Sequence, residues 1–186
     1  MNSPREHEAL RAGALASLVL LAAAGVGLSA QPVEKPSVDG VRNFARVDKT
    51  VATGGATTPA AMPALAAQGY TTVINLRRAS EAGADLDASR VAAEAAGLRY
   101  VSLPFDGKNP DGATIETFLR LVQDPANQPT FIHCSSGNRV GALWLVKRIV
   151  IDAWPVEKAA AEARGIGLSD QVLEAYVTTY AEVRAR

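Results

Sequence analysis

Short apolar runs alternate with longer segments in which apolar residues recur every three or four positions. The segments DLDASRVAAEAAG (85–97) and DGATIETFLRLVQDP (111–125) show this helical period, and the second has an apolar stripe. The short runs are rich in β-branched and aromatic residues, which is typical of buried strands. They are YTTVINL (70–76), LRYVSLPF (98–105) and PTFIHC (129–134). Because strands and helices alternate, we predict an α/β fold with a central, mainly parallel sheet flanked by helices.

Further elements are predicted on both sides of this alternating region. FARVDKTVATGG (44–55) alternates enough to predict a pair of edge strands, and TTPAAMPALAAQG (57–69) has the proline and glycine that begin and end a helix. The segment 139–154 is apolar nearly all round, which indicates a buried helix. Amphipathic helices over 155–164 and 168–184 are expected to close the domain.

The N-terminal region differs in character from the rest of the chain. Residues 1–30 combine a short polar start, an uncharged run and small residues at the end, which predicts a signal peptide and a periplasmic or exported protein. The uncharged run from Ala12 to Val33 also reaches the roughly 20 residues that a spanning helix needs, so an inner-membrane anchor is the alternative. Residues 31–42 are interpreted as a linker, and 43–186 as one domain.

Charge and cysteine usage narrow the possible functions. The chain has 19 basic and 19 acidic residues, and this neutral balance argues against a nucleic-acid-binding protein. Its single cysteine, Cys134, cannot form a disulfide within the chain and is therefore either an inert buried thiol or a reactive one. Apart from His7 in the predicted leader, His133 is the only histidine, so a Ser-His-Asp site elsewhere or a zinc site based on histidines is difficult to build.

The segment HCSSGNRVG follows the last predicted strand and opens the buried helix. Ligands of parallel α/β sheets lie beyond the carboxyl ends of the strands, where a helix N-terminus presents free N–H groups. Small side chains let the backbone amides converge, glycine permits a tight turn, and arginine adds a bidentate donor. We therefore predict an anion-binding loop that consists of Ser135, Ser136, Gly137, Asn138 and Arg139.

Cys134 lies at the start of this loop. The helix N-terminus, the converging amides and Arg139 all favour the thiolate, which is a ready nucleophile. His133 precedes Cys134 on the strand and is expected to point to the opposite face, where it would fix the loop by hydrogen bonding. The alternative is that Cys134 is a small buried apolar residue and that the polar residues after it form an ordinary turn.

These residues resemble a known family. HCSSGNRVG is similar to the signature of cysteine-dependent protein phosphatases, His-Cys-x-x-Gly-x-x-Arg-Ser/Thr-Gly, and the segment 43–81 resembles the opening of the dual-specificity-phosphatase-like domains of bacteria. Within that group, the beta-lactamase-hydrolase-like phosphatases share the strand GYTTVINLR, the acid at Glu81 and a short loop of the form Cys-x-x-Gly-x-Arg. The resemblance covers roughly residues 43–154.

The resemblance implies a phosphatase that needs no metal and no cofactor. Cys134 would attack phosphorus and form a phosphocysteine intermediate, while Arg139 and the loop amides, with Ser135 to Asn138, would hold the phosphate oxygens. The family takes its general acid from a neighbouring loop, and LPFDGKNPDG offers Asp106 for this role, with Asp111 assigned to the turn before the next helix. The expected substrate is a phosphorylated protein or a small phosphate ester.

The chain departs from the wider signature at two positions and leaves other functions open. The loop has one residue fewer between Cys134 and Arg139, and Val140 replaces the hydroxyl that helps the cysteine leave, which predicts a slow enzyme. Rhodanese-like sulfurtransferases use a loop of this short length, so sulfur transfer through a Cys134 persulfide is one alternative. A phosphate-binding or partner-binding pseudophosphatase is another. Glu81 is interpreted as the partner of Arg77 or Arg78 in a local ion pair, and the alternative is that it orients the anion-binding loop.

Overall fold

The computed structural model describes residues 33–186. The predicted leader, residues 1–30, lies outside the described residues, and the signal-peptide prediction stays a prediction. Within residues 33–186, none of the helices is both long enough and apolar enough to cross a membrane.

A five-stranded sheet forms the centre of the fold, with strand order β1-β2-β5-β3-β4. The strands are β1 (Ala45–Arg46), β2 (Val51–Gly54), β3 (Thr72–Asn75), β4 (Arg99–Ser102) and β5 (Thr130–His133). Only β1 is antiparallel to its neighbour, and the other pairs are parallel, which confirms the predicted sheet. Gly54 and Asn75 both align with His133, so the carboxyl ends of β2, β3 and β5 lie at one edge.

Within residues 33–186, six helices cover the two faces of the sheet. They are α1 (Met62–Ala67), α2 (Leu86–Ala95), α3 (Gly112–Gln123), α4 (Asn138–Val150), α5 (Val156–Ile166) and α6 (Gln171–Arg184). Short 3-10 turns at Pro59–Ala61 and Pro125–Asn127 precede α1 and β5. Asp85, Asp111 and Asp170 cap α2, α3 and α6 by accepting backbone N–H groups with their carboxylates, which explains where these helices begin.

The sheet separates two hydrophobic cores, and successive residues of β5 point alternately into one core and the other. Ile132 and Cys134 belong to the larger core, under α3 to α6, whereas Phe131 belongs to the smaller core beside α1 and α2. The ring of His133 stacks on Phe131 with centroids 5.8 Å apart, so it lies on the face opposite Cys134, as predicted.

The helix that follows the loop, α4, is held against α5 by a close approach and by a buried ion pair. A Cβ on Gly141 would lie 2.7 Å from the carbonyl oxygen of Ala163, so only glycine allows this contact. Glu162 accepts hydrogen bonds from Trp144 Nε1 at 2.9 Å and from Arg148 Nε at 2.6 Å, and all three side chains are buried. The start of α4, where the anion-binding loop ends, is therefore fixed by the C-terminal helices.

The segment 33–42, which we interpret as part of a linker, packs against the domain. Val33 contacts the larger core, and Val38 and Val41 contact the smaller one. The amide of Arg46 donates to the carbonyl of Glu34 at 2.7 Å, which attaches the segment to β1.

Gly141→Ala is expected to destabilise the fold, although alanine is ordinarily preferred to glycine within a helix. The new methyl group would meet backbone atoms, which cannot move cheaply, so the free energy of unfolding should fall by about 1 to 3 kcal/mol in denaturant titrations. Gly165→Ala on α5 is the control, because its Cβ would meet only the Val33 side chain, at 3.2 Å. A Gly141→Ala protein as stable as the wild type would contradict the close-packing argument.

Candidate active site

The segment 134–139 forms a compact loop between β5 and α4 at the carboxyl edge of the sheet. Gly137, the residue that precedes α4, has φ +102°, a left-handed conformation that L side chains rarely adopt. A Cβ at this position would lie 2.7 Å from Asn43 Nδ2 and 2.9 Å from the carbonyl oxygen of Ile166. Glycine is therefore required by both the backbone conformation and the space.

The sulfur of Cys134 lies inside this loop. The amide N–H of Gly137 donates to Sγ at 3.2 Å, and the backbone of Cys134 is fixed by its own amide, which donates to the carbonyl of Gly54 at 3.2 Å. Cys134 has no solvent-exposed surface, because the loop wraps around it and the larger core lies behind it. The sulfur thus has a hydrogen-bond donor from the loop and a helix N-terminus beside it, both of which favour a negative charge there.

Arg139 points inward and is fixed by four hydrogen bonds. Its Nη1 and Nη2 donate to the two carboxylate oxygens of Glu81 at 2.6 and 2.7 Å, and Nη1 also reaches the carbonyls of Leu76 and Phe105 at 3.0 Å each. Burial opposes the charge, but the hydrogen bond to Glu81 and the charge of Cys134 outweigh burial and raise the pKa of Arg139. Nε and the second hydrogen of Nη2 have no oxygen acceptor among the described residues, and the guanidinium also interacts with the side chain of Cys134, so these donors are available to an anion bound beside the sulfur.

The position of Glu81 corrects the interpretation of this residue as a partner for Arg77 or Arg78 alone. Both neighbours do approach Glu81, at 3.5 and 3.7 Å, but the bidentate contact with Arg139 is much shorter. Burial opposes the ionisation of Glu81, yet the hydrogen bonds from Arg139 and from the Arg78 amide prevail and lower its pKa to about 2. Glu81 therefore remains ionised at neutral pH and holds Arg139 in its inward orientation.

The remaining polar residues of the loop hold it in place through contacts with other segments. The carbonyl of Ser135 accepts the amide of Ala56 at 2.8 Å. Asn138 accepts the amides of Ser169 and Asp170 with Oδ1, at 2.8 and 3.0 Å, so its side-chain oxygen attaches the loop to the start of α6. These contacts leave the loop backbone, rather than the side chain of Asn138, as the source of donors for an anion.

Asn43 is a structural residue of the site that sequence reasoning missed. Its Nδ2 donates to the carbonyl of Ser136 at 3.1 Å and to that of Ile166 at 2.8 Å. The side chain thus joins the loop to the end of α5. Nothing in the local pattern marks it, although its positive φ of 50° is typical of asparagine in a turn.

The structure contradicts the prediction that His133 fixes the loop by hydrogen bonding. Neither ring nitrogen has a hydrogen-bond partner among the described residues. The ring instead lines a cavity of about 110 Å³, together with Asn75, Arg77 and Tyr100. Burial lowers the pKa of His133 to about 4, while the nearby backbone of Cys134 and Gly55 opposes the shift. His133 is therefore neutral at physiological pH and lies on the opposite face from the thiol.

Asp106 lies in the loop after β4, four residues beyond the end of the strand, and its two neighbours along the chain approach Arg139. The preceding residue, Phe105, touches the guanidinium with its carbonyl, and a Cβ on Gly107 would lie 3.3 Å from Arg139 Cγ. Asp106 accepts the amide of Lys108 at 3.0 Å and the guanidinium of Arg78 at 2.7 Å. The amide of Lys108, the side chain of Asn109 and the charge of Arg78 lower the pKa of Asp106.

Asp111, assigned by sequence to the turn before the next helix, lies at that position. It caps α3 by accepting the amide of Thr114 at 2.8 Å. Val140, which follows Arg139, is completely buried, so the first turn of α4 presents a methyl-bearing side chain where the wider signature has a hydroxyl.

A buried cysteine whose sulfur accepts a loop amide, followed by an inward arginine at the edge of a parallel sheet, defines the class of cysteine-dependent phosphatase folds. Solved structures of this class are similar to the chain. Pseudomonas aeruginosa TpbA has a TM-score of 0.64 and 22% identity, covering 83% of this chain and 96% of that one. The core catalytic domain of the PP-IP phosphatase SIW14 from S. cerevisiae has a TM-score of 0.62 and 19% identity, and the match covers 76% of this chain and 86% of that one.

The chain belongs to the family described as the phosphatase-like domain of beta-lactamase hydrolase-like proteins, whose model matches residues 43–150. It is 33% identical to the dual specificity protein phosphatase TpbA of Pseudomonas aeruginosa (strain UCBPP-PA14) over 76 residues, which are 40% of this chain and 35% of the relative. It is 30% identical to the beta-lactamase hydrolase-like protein of Agrobacterium fabrum over 103 residues, which are 54% of this chain and 24% of the relative. The chain thus matches only about a third and a quarter of the length of these two relatives.

Glu81→Gln is expected to lower the stability of the protein in a pH-dependent way. A pKa of about 2 in the folded protein, against 4.5 without these contacts, corresponds to stabilisation of about 1 to 3 kcal/mol at neutral pH, once screening by solvent is allowed for. Because the folded-state pKa is depressed, this stabilisation is complete above about 4.5 and is lost as the pH falls towards 2. Urea titrations at several pH values should therefore show that the unfolding free energies of wild type and Glu81→Gln become more similar as the pH falls from 4.5 to 2.

The exposed Glu182 on α6 offers a matched control for this measurement. Glu182→Gln should leave the unfolding free energy nearly unchanged at each pH. A difference between Glu81→Gln and wild type that stays constant between pH 5 and pH 2 would show that ionisation of Glu81 does not stabilise the site.

Proposed function

We propose that the protein is a cysteine-dependent phosphatase that hydrolyses phosphate monoesters through a phosphocysteine intermediate. The observation that carries this proposal is the inward Arg139, fixed by Glu81 beside a cysteine whose sulfur already accepts a backbone N–H. Such an arrangement stabilises a dianion by charge and by fixed donors, which is the main requirement for phosphoryl transfer. Membership of the phosphatase-like family supports it independently.

In the first step, the Cys134 thiolate attacks phosphorus and the bond between phosphorus and the ester oxygen breaks. Arg139 donates from Nε and Nη2 to the equatorial oxygens, and the loop amides donate to the others. The departing oxygen takes a proton from Asp106. In the second step, water attacks the phosphocysteine and gives its proton to the Asp106 carboxylate, so that inorganic phosphate and the thiolate are released.

Three features of the site predict slow turnover. Cys134 has no exposed surface, so the loop has to widen as the phosphoryl group enters. Asp106 is held by Arg78 and by the Lys108 amide, and its lowered pKa keeps it mostly ionised at neutral pH. Because a general acid must carry its proton, we expect activity to be favoured at acidic pH. Val140 supplies no hydroxyl to assist the leaving thiolate in the second step.

The substrate is proposed to be a phosphorylated protein or a small phosphate ester. A structural neighbour supports this class, since Pseudomonas aeruginosa TpbA has been solved in complex with pTyr, at a TM-score of 0.63 and 22% identity. The type of phosphorylated residue is a matter for a substrate panel that includes phosphotyrosine, phosphoserine and phosphothreonine peptides.

Cys134→Ser should abolish the release of p-nitrophenol from p-nitrophenyl phosphate while the variant still binds the ester, as measured by calorimetry. The serine hydroxyl is not ionised at neutral pH, so it cannot replace the thiolate as nucleophile. Full activity in this variant would refute the mechanism. The short loop also calls for a control with thiosulfate, in which a gain of one sulfur atom on Cys134, together with thiocyanate formed from cyanide, would indicate sulfur transfer instead.

Asp106→Asn should lower kcat for alkyl phosphate esters by about 100-fold or more, because an alkoxide leaves poorly without a proton. The loss should be much smaller for p-nitrophenyl phosphate, whose leaving group is stable as an anion. Asp111→Asn is the matched control, since asparagine caps a helix as well as aspartate does and Asp111 only caps α3. Equal effects of the two substitutions would rule out Asp106 as the acid.

A further inference from the structure

A groove lies between the loop that follows β4 and the first turns of α6. Gly107, Lys108 and Pro110 form one wall, and Val172 and Tyr176 are the main side chains of the other. Its volume is about 370 Å³, which is enough for an aromatic ring system. We refer to it as the α6 groove.

Both walls of the α6 groove are attached to neighbouring residues of the anion-binding loop. On one side, a Cβ on Gly107 would lie 3.3 Å from Arg139 Cγ and equally close to Leu173 Cδ2, so Gly107 lies between the arginine and α6. On the other side, Asn138 Oδ1 accepts the amide of Asp170 at 3.0 Å. The groove is therefore adjacent to the site where the phosphoryl group would bind.

The surface of the α6 groove is largely apolar, and Lys108 and Asp170 are the two charged residues that line it. Val172 is 82% exposed and Tyr176 is 40% exposed, which makes them two of the few large apolar side chains on the described surface. Asp170 accepts the amides of Val172 and Leu173 with Oδ1, so this oxygen is engaged by the start of α6, while Oδ2 stays open at the rim of the groove. Lys108 forms no ion pair within residues 33–186.

We propose that the α6 groove binds the leaving-group portion of the phosphate ester and that it selects flat, apolar groups over sugars and polyols. A polyol would lose hydration against Val172, Pro110 and the ring of Tyr176, and these apolar faces offer it no hydrogen bonds in return. A flat ring instead gains contact with Pro110 and Tyr176. The inference rests on the proposed phosphatase activity and specifies its substrate. Helix α6 lies outside the matched range 43–150, so this selectivity belongs to the C-terminal part of the chain.

The test compares two esters with leaving groups of similar acidity but different apolar area, 2-naphthyl phosphate and phenyl phosphate. Val172→Asn is expected to lower kcat/KM for the naphthyl ester about fivefold, mainly by raising KM, because the second ring loses its apolar contact. The phenyl ester should be affected by less than twofold. Val183→Asn is the matched control: Val183 is 67% exposed on the same helix but lies outside the groove, so both esters should keep their wild-type kinetics.

If Val172→Asn leaves the ratio of kcat/KM for the naphthyl ester to kcat/KM for the phenyl ester unchanged, the inference is overturned. The same holds if Val183→Asn lowers kcat/KM for the naphthyl ester as much as Val172→Asn does. If the wild-type protein hydrolyses neither ester, the proposed function fails, and the groove is then judged by binding alone. Calorimetry with naphthylmethylphosphonate and benzylphosphonate, which cannot be hydrolysed, should show tighter binding of the naphthyl compound to wild type and to Val183→Asn, but not to Val172→Asn. Equal affinities of wild type for the two phosphonates would reject the groove as a leaving-group site.

Discussion

The bidentate pair between Arg139 and Glu81 is the interaction on which the site depends. An arginine in the first turn of α4 adds positive charge where the helix dipole is already positive, which is unfavourable in isolation. Glu81 offsets this repulsion with contacts of 2.6 and 2.7 Å, and the carbonyls of Leu76 and Phe105 complete the guanidinium's surroundings. The pair fixes one edge of the guanidinium and leaves Nε and the second hydrogen of Nη2 to donate to an anion. It also connects the loop after β3 to the loop after β5, so the site and the sheet edge are positioned together.

The two residues that begin the motif have separate environments because they lie on opposite faces of β5. Cys134 is enclosed by the loop and the larger core, where the Gly137 amide and the helix N-terminus favour an anion. His133 faces a cavity on the other side that Asn75, Arg77 and Tyr100 also line, and it is neutral, with a pKa of about 4. A neutral imidazole adds no charge behind the loop, so the field at the sulfur is set by Arg139 and the backbone. The short loop is stabilised from outside, by Asn43 and by the contact of Asn138 with α6.

The chemistry and the recognition of the leaving group are assigned to different parts of the chain. The residues proposed for catalysis lie within the matched range 43–150, at the carboxyl ends of parallel strands, which is the usual position of active sites in α/β folds. The α6 groove combines the loop after β4 with a helix beyond that range. Asn138 links the two regions, since its side chain holds the start of α6 beside the loop. Changes on the exposed face of α6 can therefore alter selectivity while the anion-binding loop is unchanged.

The local pattern of the sequence determined the elements and the centre of the site. The period of apolar residues predicts the parallel sheet and its helices, and the segment around Cys134 predicts the turn, the inward arginine and the opposite orientation of His133, because each of these depends on neighbours within a few residues. Tertiary structure decided the rest. The partner of Arg139 is Glu81, 58 residues earlier, and sequence reasoning preferred the adjacent arginines for that carboxylate because only local pairs are visible along a chain. The role of Asn43, the ring of His133 without a hydrogen-bond partner in residues 33–186, and the groove beside α6 also arise from contacts between distant segments. These contacts depend on how the sheet brings its loops together.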